Sequence, residues 1–349
     1  MKGSSDRIRS VLIKAPNWVG DNVFILPAVA EARKLFPGAR FAVLVKKGIA
    51  SLWELVDGMD EIIPYETRGG LRDLSSKAAL VRAIRGKRFD LALIFPRSLE
   101  SAAWIFLAGI PRRWGYAEEG RSFLLTRIRT SPRGYRHTHR IDYYYRLVAD
   151  VPDDSPAPLA RLRAPPDLVS WARDELKRAT GKADWKRLVG IHPRASHGPA
   201  KCWPLENYAR LTSLLVKEDG CAVVVFGNAV EAELAGKVAR AGGTRAFSLA
   251  GETNLQQLAA LISLCRVFVA NDTGPLHLAA ALGVPVVGLF GSSDPAATAP
   301  RGERVRTIYK SIPCSPCLRR ICPTDFRCMT EISVEEVLAA LEELLGKDR

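Results

Sequence analysis

Two hydrophobic rhythms alternate along this chain. Short apolar runs rich in Val, Ile and Leu have the length of buried strands, and between them lie stretches whose apolar positions recur at helical spacing. That alternation argues for parallel sheets built from strand–helix–strand units. In the first half, strands are expected at 11–15, 41–45, 61–64 and 91–95, with helices such as 23–36 and 76–85 between them. In the second half, strands are expected at 188–192, 222–226, 267–270 and 284–290, and helices at 205–218, 230–241 and 255–264. Pro152, Pro156, Pro158, Pro165 and Pro166 crowd the stretch between the halves. Proline withholds a backbone donor and resists helix interiors and central strands, so this segment reads as a linker. The last element, 333–345, opens on a capping-box pair, Ser333 and Glu336. It places Val334, Val337, Leu338, Leu341, Leu344 and Leu345 on helical spacing and must dock on one of the two lobes.

Length agrees with a two-part chain. At 349 residues it exceeds what one core fills, since single cores stop growing near roughly 250–300 residues. Domains are therefore expected at 1–155 and 156–349. Hydrophobic content of 47% and charged content of 25% are those of a globular protein. No run reaches the ~18 apolar residues of a membrane helix, and the nearest, 255–270, carries Gln256, Gln257 and Arg266. Residues 1–10 are polar and lack the apolar centre of a signal peptide, so a cytoplasmic protein is expected.

Charge adds an asymmetry. Residues 1–150 hold 26 Lys and Arg against 15 Asp and Glu, a net of +11, and the remainder holds 25 against 22, a net of +3. A basic first lobe favours an anionic partner: nucleic acid, a membrane surface or a phosphorylated substrate.

Three strand-to-helix loops could carry chemistry. After strand 267–270, Asn271-Asp272-Thr273-Gly274 turns into a helix with Pro275 near its start and Gly283 past its end. Ligands of open α/β sheets sit beyond the carboxyl ends of strands, and a helix N-terminus offers unpaired N–H groups to a phosphate. Asp272 suits sugar hydroxyls, and His277 lies in the first turn; the blander reading is that Asp272 and Thr273 only cap the helix. After strand 188–192 comes His192-Pro193-Arg194-Ala195-Ser196, then Lys201-Cys202-Trp203-Pro204, where Lys201 suits a diphosphate or is a surface lysine beside a buried tryptophan. Gly227, ending the next strand, would admit a base or ribose. In the first half, Gly20 suits a tight turn that sets Asp21 at a helix mouth, as N-cap or as general base.

Six segments in register carry a resemblance: APNWVGD at 15–21, FPRSLESA at 95–102, AGIPRRWGY at 108–116, GPAKCWP at 198–204, LAGETNL at 249–255 and NDTGPLHLAAALGVPVVGLFG at 271–291. Together they resemble the ADP-heptose:lipopolysaccharide heptosyltransferases of glycosyltransferase family 9, most closely the heptosyltransferase II branch. The resemblance implies an α/β GT-B fold, two Rossmann-like doubly wound lobes with an interlobe cleft. The first lobe would bind the acceptor and the second the nucleotide-sugar donor. It further implies inverting, metal-independent transfer of heptose from ADP-heptose to the inner-core heptose/Kdo-lipid A acceptor in lipopolysaccharide biosynthesis. The enzyme would work as a monomer, without a cofactor, at the cytoplasmic face of the inner membrane. By motif, Asp21 matches the catalytic base. Ser196, Lys201, Gly227, Asp272, Thr273, Gly274 and His277 fall to the donor, and Lys14, Asn17, Trp18, Arg97 and Arg113 to the acceptor.

Arg112, Arg121, Arg136 and Arg140 are further candidates for the anionic acceptor, each as easily a solvated face. Departures from the family pattern are Arg194 for a usual glycine, Arg97 for a usual asparagine and Cys202 for a commonly basic residue. The chain has no Asp-x-Asp pair to carry a metal on a diphosphate, so Lys201, Arg194 and helix N-termini are expected to meet the leaving-group charge.

Cys314, Cys317, Cys322 and Cys328 lie within fifteen residues. Four thiolates at this spacing allow a structural zinc, with reduced thiols or local disulfides as the alternatives. Rival functions are a heptosyltransferase I-type or other nucleotide-sugar transferase, a sugar-nucleotide epimerase, and a basic non-catalytic binder of nucleic acid. Scattered basic residues disfavour the last, and no nucleic-acid partner is expected.

Overall fold

A computed structural model describes residues 8–67, 73–130, 135–182, 185–217 and 220–346. The first seven residues of the polar N-terminal stretch, and Glu218 at the end of the expected helix 205–218, lie outside these. The chain divides into two compact units, one ending at Ala160 and the other beginning at Arg161.

In the first unit the described strands are β1 (Ser10–Lys14), β2 (Arg40–Lys46), β3 (Glu61–Tyr65), β4 (Leu91–Ile94), β5 (Arg112–Tyr116) and β6 (Arg127–Arg129). They form one parallel sheet in the order β3-β2-β1-β4-β5-β6. In the second unit β7 (Leu188–His192), β8 (Ala222–Val225), β9 (Ala246–Ser248), β10 (Val267–Asn271), β11 (Val286–Phe290) and β12 (Val305–Tyr309) are parallel in the order β12-β11-β10-β7-β8-β9. Both orders are Rossmann orders, reversing direction between the first and fourth strands of the unit. The central strands are buried along their whole length, as a parallel sheet covered on both faces requires.

The expected strands are present with shifts of one or two residues at their ends. Strands β5, β6, β9 and β12 were not expected, because arginines, polar residues or short length hide them from an apolar-run reading. The expected helix 23–36 divides into Val19–Phe24 and Leu26–Leu35, which moves Gly20 and Asp21 from a tight turn into the first helical turn. Pro165 and Pro166 are likewise not linker. Pro166 opens helix Pro166–Thr180, where a missing N–H costs nothing, and Gly181 ends it at φ 73°.

The terminal helix, Val334–Gly346, docks on the second unit. Val334, Val337, Leu341, Leu344 and Leu345 join the core formed by Leu211, Leu215, Val287 and Leu289. Each such burial is worth roughly 1.5–3 kcal/mol relative to exposure. The Glu336 N–H donates to Ser333 Oγ at 3.1 Å, while the Glu336 carboxylate pairs with Lys310 at 2.8 Å. Among the described residues no helix is long and apolar enough to cross a membrane.

Candidate functional site

In the second unit β7 and β10 are neighbours, with His192 in register with Ala270. The loops that leave their carboxyl ends, 193–204 and 272–273, therefore emerge side by side at the switch point of the sheet, where ligands of such folds bind. Lys201 reaches across from one loop to the other, and its Nζ donates to Asp272 Oδ2 at 2.5 Å. His277 Nε2 is hydrogen-bonded to Asp272 Oδ1 at 3.1 Å. Burial is the largest influence on the Asp272 carboxyl and opposes ionisation. The His277 hydrogen bond and the charges of Lys201 and His277 together outweigh it, holding the group well below the usual carboxylate range.

Asn271, which the sequence reading left without a role, pins the two loops together. Its Oδ1 accepts from the Trp203 N–H at 2.9 Å and from the Tyr208 hydroxyl at 3.1 Å, and its Nδ2 donates to Pro193 O at 3.0 Å. Trp203 is buried and donates from Nε1 to Ile332 O at 2.9 Å. Lys201 thus sits on a fixed main chain beside a buried tryptophan, and it is ion-paired.

The helix Gly274–Ala281 begins behind Thr273, whose extended backbone places it at the N-cap without a side-chain cap bond. Asp272 is engaged by Lys201 and His277, so neither residue performs the capping that the bland reading gave them. The sugar hydroxyls expected at Asp272 would meet a side chain that already has two partners. Both its oxygens are engaged and its side chain is only 4% exposed, which makes it an internal counter-ion that aims Lys201 and His277. Ser196 lies exposed on the Lys201 loop. Gly227 is glycine for an internal reason, since a Cβ there would lie 3.1 Å from Glu231 Cβ and 3.3 Å from Ala250 Cβ. Arg194 gives its carbonyl to His192 Nδ1 at 2.9 Å.

The cysteine segment packs behind the Lys201 loop. Arg320 accepts the Ala200 N–H at its carbonyl, 3.1 Å, and donates from Nε to His197 O at 2.8 Å. Gly198, at φ 150°, passes so close that a Cβ would fall 2.4 Å from Arg320 O. Arg320 is a support the sequence did not announce. All seven cysteines are free thiols, and Cys314, Cys317, Cys322 and Cys328 line a cavity of about 240 Å³ together with Ala200 and Ser292. They surround space instead of converging. Among the described residues no group of three or more His, Cys, Asp or Glu is placed to hold a metal ion, so the geometry gives the zinc expectation no support.

In the first unit β1 and β4 are the switch-point neighbours, with Lys14 in register with Ile94. Asp21 follows β1 in the first turn of helix Val19–Phe24, and the Tyr144 hydroxyl donates to its Oδ1 at 3.1 Å. Asn17 accepts from the Tyr65 hydroxyl at 2.9 Å, and Trp18 is exposed. Lys14 is corrected as a direct acceptor contact. It is buried, donating to Tyr65 Oη at 2.8 Å and Ala15 O at 3.0 Å, and burial first, then the charge of Lys46, lowers its pKa to about 7 against the pull of Glu100.

Arg113 and Arg121 are corrected in the same way. Arg113 sits toward the amino end of β5, away from the ligand edge, and spends its donors on the carbonyls of Ile110, Pro111 and Leu124. Arg121 is wholly buried against the carbonyls of Tyr116, Pro96 and Ser98. Arg140 is buried too, on Thr138 O and Tyr135 O. Arg97 stays half-exposed after β4.

Both units are thus Rossmann-ordered α/β sheets, and the second carries at its switch point a lysine aimed by a buried carboxylate. The model of glycosyltransferase family 9 (heptosyltransferase) matches residues 77–326. Lipopolysaccharide heptosyltransferase 2 of Escherichia coli strain K12 is 31% identical over 309 residues, 85% of this chain and 87% of that one. The solved structure of Escherichia coli ADP-heptose lps heptosyltransferase II superimposes with a TM-score of 0.82 at 28% identity, covering 97% of this chain and 99% of that one. A family 9 glycosyltransferase from Veillonella parvula shares the fold, with a TM-score of 0.85 at 22% identity and coverage of 97% and 98%. The chain belongs to glycosyltransferase family 9, the heptosyltransferases.

Proposed function

We propose that this enzyme transfers heptose from ADP-heptose to the heptose/Kdo-lipid A inner core of lipopolysaccharide, with inversion at the anomeric carbon and no catalytic metal. The observation that carries the reading is the Lys201–Asp272–His277 constellation at the donor-side switch point, in a chain whose relatives include lipopolysaccharide heptosyltransferase 2. Lys201 sets a fixed positive charge against the donor diphosphate, and the N-terminus of helix Gly274–Ala281 adds backbone N–H groups of the same sign. Both act where negative charge grows as ADP departs. Thr273, Gly274 and Ser196 line the approach.

Asp21 takes the proton of the acceptor hydroxyl. That oxygen bonds to the anomeric carbon, and the bond from this carbon to the phosphate oxygen breaks with its electron pair going to ADP. The first unit is the acceptor-binding half and the second the donor-binding half. The excess of basic residues in the first 150 positions suits an anionic acceptor at the cytoplasmic face of a membrane. Incubation with ADP-heptose and acceptors bearing zero or one heptose tests the reading by product mass. The acceptor with one heptose is expected to gain a second, and gain only on the heptose-free acceptor would reassign the step to the first addition.

A further inference from the structure

The switch point of the first sheet has two sides. Asp21 follows β1, and Arg97 follows β4. The main chain on either side of Arg97 is clamped from beneath. The buried Arg121 donates from Nη1 to Ser98 O at 3.2 Å and to Pro96 O, the carbonyls that flank Arg97. The Arg97 guanidinium then lies over the ring of Tyr135, 3.9 Å from its centroid, and the Arg140 guanidinium lies 3.6 Å from the same centroid. Tyr135 is hydrogen-bonded to Tyr144, which donates to Asp21.

Two guanidinium groups therefore flank Tyr135, which is linked through Tyr144 to Asp21, and a third, Arg121, holds the main chain around Arg97. Arg121 and Arg140 are buried and occupied with backbone carbonyls. Arg97 is the member that keeps exposure, 38% of its side chain. Its acidic neighbour is Glu118, at 3.5 Å, beyond a strong charge-assisted contact, and Glu118 also accepts from the Tyr143 hydroxyl at 3.2 Å. A guanidinium stacked on an aromatic ring keeps its in-plane N–H fork for a carboxylate or phosphate. The surrounding positive charge is relieved when such an anion arrives.

We propose that Arg97, seated by Arg121 and Tyr135, is the contact for an anionic group of the acceptor, a carboxylate or a phosphate, next to the hydroxyl that Asp21 activates. The assignment rests on the acceptor reading of the first unit given above. Arg121 and Tyr135 are positioning residues.

The test measures binding of the one-heptose acceptor to the full chain without donor, by calorimetry, for wild type, Arg97→Ala, Arg97→Gln and Arg97→Lys. The Ala and Gln variants are expected to bind at least tenfold more weakly, with ADP affinity unchanged and with Lys restoring part of the loss. Phosphatase-treated and carboxyl-esterified acceptors identify the source: the acceptor that lacks the contacted group binds wild type and Arg97→Ala alike. The proposal is overturned if Arg97→Ala and Arg97→Gln bind like wild type, if their loss is the same on acceptors stripped of both groups, or if wild type binds no acceptor. Heptosyl transfer is scored separately: its absence alongside normal Arg97-dependent binding would count against the catalytic reading and leave this contact standing.

Discussion

Lys201 and Asp272 belong to loops that leave neighbouring strands, 71 residues apart in sequence, and their side chains meet at 2.5 Å with His277 completing the carboxylate's shell. The pair converts a flexible lysine into a charge of fixed position. Asp272→Asn removes the counter-charge, and ADP affinity is expected to fall about tenfold by calorimetry. Breaking one partner of a buried pair costs about 3–5 kcal/mol. The 17% exposure of Lys201 places the expected loss of unfolding free energy at or below the lower end of that range.

This contribution has a definite pH dependence. The Asp272 carboxyl is depressed in the folded state. Its stabilisation is therefore complete above the unfolded carboxyl pKa, about 3.9, and is lost as pH falls from there through the folded value. Urea unfolding of wild type and Asp272→Asn should show a constant gap from pH 7 to pH 5 that narrows below pH 4. An unchanged gap at pH 3 would separate Asp272 from Lys201 energetically.

Lys14 gives the same sign in a higher pH window. Its pKa is lowered to about 7 in the fold, so between pH 7 and about 10.4 the unfolded chain holds a proton that the folded chain has shed. Stability from this group therefore rises with pH across that window. Lys14→Met should compare better with wild type at pH 6 than at pH 9 in chemical unfolding. A gap independent of pH would show that Lys14 stays charged under Tyr65.

The support behind the Lys201 loop is steric. Gly198 combines φ 150° with a Cβ position 2.4 Å from Arg320 O, so Gly198→Ala must shift either backbone. A rise of about tenfold in the donor KM and a lower Tm are expected. Gly38→Ala, at φ 81° with open space around it, is the control and should cost about 1 kcal/mol without touching the donor KM.

Thiol reactivity should follow the exposure of the seven cysteines. Cys314 is exposed, and a hydrogen bond from Thr324 pulls the Cys322 thiol down, whereas burial pushes Cys265 up. Brief alkylation at pH 7 followed by peptide mass mapping should label Cys314 and Cys322 and spare Cys221 and Cys265. Protection of Cys314 and Cys322 that a chelator removes would reveal a bound metal and contradict the open arrangement of the four thiols.

Much of this was legible in the sequence because the central strands are uninterrupted apolar runs and the loops after β7 and β10 carry their own punctuation. Lys201, Asp272 and His277 were found that way, and the structure brings them together. Their division of labour was not legible. Nothing in one dimension says that Asp272 is closed off by Lys201, or that the unremarked Asn271 pins both loops. Basic residues misled in the first unit. Arg113, Arg121 and Lys14 read as surface charge, yet each is turned inward onto carbonyls or a phenol, and composition cannot report the direction of a side chain. Tyr144 lies outside every motif singled out in the sequence, and only the fold shows its hydroxyl on Asp21.

The division of labour between Asp21 and Lys201 is tested most directly by heptosyl transfer from ADP-heptose by Asp21→Ala, read as product mass beside a measurement of ADP binding. Loss of a general base costs roughly 10²–10⁴-fold. The expected result is a fall in transfer of that size with ADP affinity within twofold of wild type. Near-normal transfer by Asp21→Ala would contradict it.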